Sequence, residues 1–158
     1  MKKISLIIIC AIALVFASCQ KADTKDKNGN TPKDVVEKMY KLIQEGNYTA
    51  AADYCKIPDS VDIKIIEEYV KHDTALKGQV MHDTILTGKE WKNLVIYKMK
   101  HGSNTTLKDY KVIEEEISKT DPNNATVKTS ITIIKDGKET KAECSFPMKR
   151  DSLWRIIG

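Results

Sequence analysis

Val127-Lys128-Thr129-Ser130-Ile131-Thr132-Ile133 alternates in a strict period of two, and a few residues later Asp136-Gly137 interrupts a run that resumes from Glu139 to Met148. Side chains alternate faces along a strand, so Val127, Thr129, Ile131 and Ile133 share one face while Lys128, Ser130 and Thr132 share the other. Asp-Gly between two such runs is a strong signal for a two-residue hairpin. In the strand that follows, Ala142, Cys144, Phe146 and Met148 point inward. Upstream, Leu107 to Ile117 reads as a preceding strand whose imperfect alternation suggests a bulge, joined by the turn Asp121-Pro122-Asn123-Asn124. Downstream, Asp151-Ser152 turns the chain into a last strand, Leu153-Trp154-Arg155-Ile156-Ile157. Trp154 and Phe146 fall on the inward positions.

Before Gly102 the period is helical. Thr31 suits an N-cap, Pro32 the first helical position, and Asp34 the positive helix end. Val35, Val36, Met39, Tyr40 and Ile43 recur at helical spacing up to Gly46. A second helix is expected over Tyr48 to Cys55. After the break Ile57-Pro58-Asp59-Ser60, a third is expected through Val61, Ile65, Ile66, Tyr69 and Val70, ending before Gly78. Gln79 to Gly88 favours neither period. Trp91, Leu94, Val95, Lys98 and Met99 predict one more helix ending near Gly102. Helices followed by an antiparallel meander give an α+β fold, with N-terminal helices packed on a curved antiparallel four-stranded sheet.

The chain opens Met1-Lys2-Lys3, runs apolar from Ile4 to Ala17, and reaches small residues directly before Cys19. A positive start, a short apolar core and a small-residue cleavage site make a secretory signal. The run is shorter than the roughly 20 apolar residues that span a bilayer. Phe16-Ala17-Ser18-Cys19 resembles a bacterial lipobox. That resemblance implies cleavage after Ser18, diacylation of the Cys19 sulfur and membrane anchoring through the lipid. Gln20 is not the aspartate that retains such proteins in the inner membrane, so the outer membrane is favoured, with the periplasmic and the outward face both open. Removing residues 1–18 leaves 24 basic against 22 acidic residues, a balance of +2. Such a mixed surface argues against a nucleic-acid footprint. Residues 19–30 contain no large apolar side chain and read as a flexible tether, leaving 31–158 as one domain.

The order of elements resembles the cystatin-like cone of the nuclear-transport-factor-two superfamily. More narrowly, it is similar to a domain of unknown function found in small lipoproteins of gut-type Gram-negative anaerobes. The residues carrying this resemblance are Thr31-Pro32-Lys33-Asp34-Val35-Val36 with Tyr40, and Gly46-Asn47-Tyr48 leading into Ala51-Ala52. Toward the other end they are Asn124-Ala125-Thr126-Val127, Asp136-Gly137 and Leu153-Trp154-Arg155-Ile156. The stretch from Gln79 to Gly102 departs from the family's pattern, and the family implies no reaction.

Among chemistry-bearing residues, Cys55 and Cys144 admit a disulfide in an oxidising compartment or two buried thiols acting as small hydrophobes; a catalytic thiol is the third reading. His72-Asp73 and His82-Asp83 form a near-repeat with metal-ligand chemistry, yet adjacent residues point apart, so the alternative is solvated surface; His101 sits in a polar loop. Ser60, Thr74, Thr84 and Ser152 each follow an aspartate and precede an aliphatic residue. This looks like the O-glycosylation acceptor motif of the same anaerobes, against the alternative of caps and turns. Glu114-Glu115-Glu116 reads as a solvated or edge-protecting run, and an inward Glu114 or Glu116 would be of interest as a base. There is no Gly-rich phosphate loop, no zinc-type cysteine spacing and no nucleophile elbow, so no cofactor or metal is expected. Three classes remain. A non-catalytic envelope module binding a small ligand or peptide is favoured, ahead of a protein-interaction or inhibitor subunit and of an isomerase- or hydratase-like enzyme.

Overall fold

The computed structural model describes residues 23–62, 85–101 and 105–157. Helix α1 (Pro32–Gln44) begins at a complete capping box: the Thr31 hydroxyl accepts from the Asp34 N–H, and the Asp34 carboxylate accepts from the Thr31 N–H. Helix α2 (Tyr48–Ala52) is capped by the Asn47 side chain and is shorter than the sequence predicts. Beyond it, Cys55 leaves the helical path and bridges Ile156 in parallel.

The expected helix from Val61 is contradicted at its start. Ser60–Asp62 is strand β1, paired antiparallel with β2 (Ile85–Thr87) so that Val61 lies opposite Leu86. The partner is far along the chain, so no local period announces it. The ladder continues as the Gly88 N–H donates to the Asp59 carbonyl at 2.7 Å. A Cβ at Gly88 would lie 2.5 Å from the Pro58 carbonyl oxygen, which is why glycine sits there. The remainder of the expected third helix, residues 63–77, lies outside the described residues. Helix α3 (Gly88–His101) follows as predicted. A second capping box opens it, with Thr87 and Glu90 bonded reciprocally.

Four antiparallel strands complete the chain in the order β3 (Thr105–Ile117), β4 (Asn124–Lys135), β5 (Lys138–Arg150) and β6 (Trp154–Ile156). The β4–β5 hairpin turns at Asp136-Gly137, both with positive φ (50° and 74°), as a two-residue primed turn requires. Register places Val127 opposite Phe146, Thr129 opposite Cys144 and Ile131 opposite Ala142. The expected inner face is therefore the observed one. Strand β3 has two register shifts, between Leu107 and Asp109 and between Val112 and Glu114. Bulges add twist and bend the strand, giving the sheet its curvature. They also leave Ile113 53% exposed and carry Glu115 to the position opposite Val127. The β3 edge is guarded by these bulges and by the exposed Glu114 to Glu116. The β6 edge is covered by residues 54–56, through bonds from the Ile156 N–H to the Tyr54 carbonyl and from the Lys56 N–H to the Ile156 carbonyl.

Val35, Val36 and Tyr40 of α1 pack on Ala125, Val127, Met148 and Trp154 of the sheet. Tyr40 stacks on Tyr110 at 4.9 Å and meets Phe146 edge-on at 5.7 Å. Its hydroxyl lies 3.0 Å from the Thr129 hydroxyl, itself fully buried. Burial pushes the Tyr40 phenol up to about 12, the Thr129 bond acting against it. Tyr40→Phe would strand the Thr129 hydroxyl, so we expect a loss of about 1–3 kcal/mol in chemical denaturation. Adding Thr129→Val to that variant should recover most of it, since both partners are then apolar. Trp154→Ala should cost about 3–5 kcal/mol, and an unchanged melting temperature would contradict the inward assignment.

Candidate functional site

The site is built on a residue the sequence gives no reason to single out. Asp26, in the segment expected to be a flexible tether, is 7% exposed. One carboxylate oxygen accepts from the Asn28 N–H at 2.8 Å, the Asn30 N–H at 3.0 Å and the Asn30 amide at 3.4 Å, closing an Asx-type turn. The other accepts from the Trp154 N–H at 3.3 Å. Burial on its own raises this carboxyl, but the N–H groups of Asn30, Trp154 and Asn28 outweigh it and hold the group below the ordinary aspartate range.

The neighbouring backbone is tied down as well. The Trp154 indole N–H donates to the Thr24 carbonyl at 2.8 Å. The Arg150 guanidinium donates to the carbonyls of Asp23 and Lys25 at 2.6 and 2.7 Å, and lies 5.2 Å over the Trp154 ring. The Lys27 N–H reaches the Ser152 carbonyl at 3.1 Å. Residues 23–30 are thus a docked strap packed on the domain, where the sequence predicts a flexible tether. Hydropathy misses this because polar bonds to a buried tryptophan do the holding, and the strap needs no large apolar side chain. Residues 19–22 lie outside the described residues.

Between strap, α1 and β6 lies a cleft of about 210 Å³. Val35 and Trp154, each 1% exposed, form its floor. Lys38, Arg155, Asn28, Tyr54 and Leu153 also line it. Lys38 is held by a hydrogen bond to the Asn30 side-chain carbonyl. The cleft is lined mainly by polar groups, Lys38 and Arg155 among them, and the Asp26 carboxylate within it is already saturated with N–H groups. Such a surface suits a small ligand with a polar or anionic head.

The residues named from sequence do not converge on this cleft. Cys55 and Cys144 are free thiols, so no disulfide joins them. The register gives the reason. Cys55 bridges Ile156, which pairs with Met148, and Cys144 lies four residues further along β5. That offset is about 13 Å at strand spacing, against the roughly 7 Å limit between bonded cysteines. Burial pushes the Cys55 thiol up, with Arg155 acting against it, so the group is a poor thiolate. Ser60 and Ser152 are exposed, on β1 and on the bend before β6. Thr74, Thr84, His72, His82 and Cys19 lie outside the described residues, as does the His101 side chain. Glu114 pairs with Lys128 at 2.7 Å. The glutamate that the bulge turns toward the helix is Glu115, which accepts from the Lys33 N–H at 2.7 Å and so caps α1. Only knowledge of the bulge positions could have identified it.

No family model matches the chain, and no curated protein matches it. Among solved structures, a designed protein of the nuclear-transport-factor-two-like kind is similar at 10% identity and a TM-score of 0.45, over 78% of this chain and 90% of that one.

Because the folded-state pKa of Asp26 is depressed, its contribution to stability is present above the ordinary aspartate range near about 4 and is lost as pH falls through the lower folded value. We expect the Trp154 backbone amide, which donates to Asp26, to lose hydrogen-exchange protection in that acid window before the sheet core does. Asp26→Ala should remove the acid step and cost about 1–3 kcal/mol at neutral pH, since it leaves buried N–H groups without a partner. Unchanged protection of Trp154 in this variant would disprove the strap's role.

Proposed function

We propose that this protein is a lipid-anchored cell-envelope protein, held on the outer membrane through Cys19, whose α+β domain binds a small polar or anionic ligand without transforming it. The anchoring rests on Met1-Lys2-Lys3, the apolar run and Ala17-Ser18-Cys19. The binding role rests on the strap cleft, whose mainly polar lining includes Lys38, Arg155 and Asn28.

One observation supports a non-catalytic reading above others. Among the described residues, the titratable groups that are displaced from their ordinary values move away from neutrality. The carboxyls of Asp26, Glu90 and Asp151 are lowered, the first against its burial and the other two chiefly by hydrogen bonds from Thr87 and Lys56. The phenols of Tyr40 and Tyr110 are raised by burial. General acid–base catalysis needs the opposite, a group brought toward the working pH within reach of a bound substrate. The cone resembled by the chain also serves many unrelated roles, so the site and not the fold carries the assignment.

Two measurements test the proposal. Cys19→Ala should abolish incorporation of labelled palmitate and move the protein out of the detergent phase; palmitate incorporation persisting in that variant would refute the anchor. Small anionic and polar fragments screened by amide NMR should perturb Asn28, Tyr54 and Arg155 together, and Lys38→Ala should weaken the response. Hits confined to other surfaces would refute the cleft, and a new product mass after incubation would refute the non-catalytic reading.

A further inference from the structure

We infer that the strap fixes the orientation of the domain on the membrane: the end of the sheet carrying the strap, the 121–124 turn and the 151–153 bend lies against phosphate-bearing lipid headgroups, and the Asp136-Gly137 hairpin points away. This inference rests on the reading of Cys19 as the lipid-bearing residue.

Chain length is the first argument. Four residue steps separate Cys19 from Asp23, so whatever path they take they span at most about 14 Å. Asp23 is not a loose end, because Arg150 holds the carbonyls of Asp23 and Lys25, and Trp154 holds that of Thr24. A free segment up to Thr31 would have reached about 43 Å and left the domain able to tumble above the lipid. Docking of the strap removes that freedom.

The strap also lands on a definite part of the fold. Arg150 also donates to the Asn123 side chain at 3.1 Å, which ties the strap to the β3–β4 turn. Strand β4 then runs 12 residues from Asn124 to Lys135. At strand rise this puts the hairpin about 40 Å from the strap end, well beyond the reach of the anchor.

Charge adds to this. At the strap end Asp23 accepts from the Lys25 N–H, Asp121 from the Asn123 N–H and the Asn124 amide, and Asp151 from Lys56. Of these only Asp151 is charge-paired; Asp23 and Asp121, with Asp26 of the strap, remain anions, set against Lys25, Lys27, Lys119 and Arg150 at the same end. Lys25, Lys27 and Lys119 on the same end are exposed and form no ion pair among the described residues. The end facing the anchor therefore presents ammonium groups to the headgroup phosphates, whose field acts over roughly a Debye length of 8–10 Å.

The test uses the full-length lipidated protein in vesicles of phosphatidylethanolamine and phosphatidylglycerol, with an encoded fluorescent amino acid at position 119 or position 138 and a quencher on the lipid headgroup. Strong quenching at 119 with little at 138 is expected. A flexible Gly-Ser insertion of about 20 residues between Ala22 and Asp23, adding roughly 25 Å of reach, should largely abolish the quenching at 119 without altering the fold. Flotation with the vesicles and the mass of the N-terminal peptide report lipidation in the same samples. A protein that neither floats nor carries lipid refutes the anchor reading. A lipidated, floating protein with equal quenching at the two positions, or greater quenching at 138, refutes the orientation alone, as does quenching at 119 that survives the insertion.

Discussion

Burial of Trp154 is the constraint on which the rest of the structure depends. A tryptophan placed under the first turn of a helix carries two N–H groups that water can no longer reach, and leaving either unpaired costs more than the hydrogen bond itself gains. The chain satisfies the indole with the Thr24 carbonyl and the backbone N–H with Asp26. Both partners come from a segment that has no apolar reason to fold. Once they are in place, Arg150 closes over the ring and gathers the carbonyls of Asp23 and Lys25. A polar strap is thereby fixed by the needs of an apolar core.

The same residue organises the cleft. Trp154 and Val35 are its floor, the strap is one wall, and the exit of α2 near Tyr54 is another. Because residues 54–56 hydrogen-bond along β6, the sheet has no open edge on this side, and the lining groups stand on a framework braced at both borders. On the opposite side of the core, Tyr40 plays a comparable part. Its ring is clasped by Tyr110 and Phe146, and its hydroxyl meets the buried Thr129 hydroxyl. A threonine at the centre of an inner strand face is tolerated there because a phenol answers it.

Strand β3 shows how irregularity serves the fold. Two bulges displace one residue each, and the second converts a charged run into a useful one: Glu114 pairs outward with Lys128, while Glu115 reaches the first turn of α1. The negative carboxylate at the helix N-terminus complements both the free N–H groups and the macrodipole. The acidic run therefore guards an edge and caps a helix, two roles set by register and not by composition.

The sequence by itself determined the parts of this protein whose information is local. The period of two from Val127 to Ile133, Asp136-Gly137 with its positive φ values, and Thr31-Pro32 with Asp34 each specify conformation through side chains a few residues apart, and strands β4 and β5 and helix α1 stand where they predict. The inward positions of Phe146, Met148 and Trp154 follow from the same alternation. Tertiary structure alone decided the strap, the β1–β2 pairing, the cap from Glu115 and the separation of Cys55 from Cys144. Each depends on partners distant in sequence, as far as the 130 positions that separate Thr24 from Trp154. Several of these bonds run to backbone N–H and carbonyl groups, which every residue but proline offers alike, so composition and periodicity do not encode them. They exist because the fold brings those groups together in a place where water cannot satisfy them.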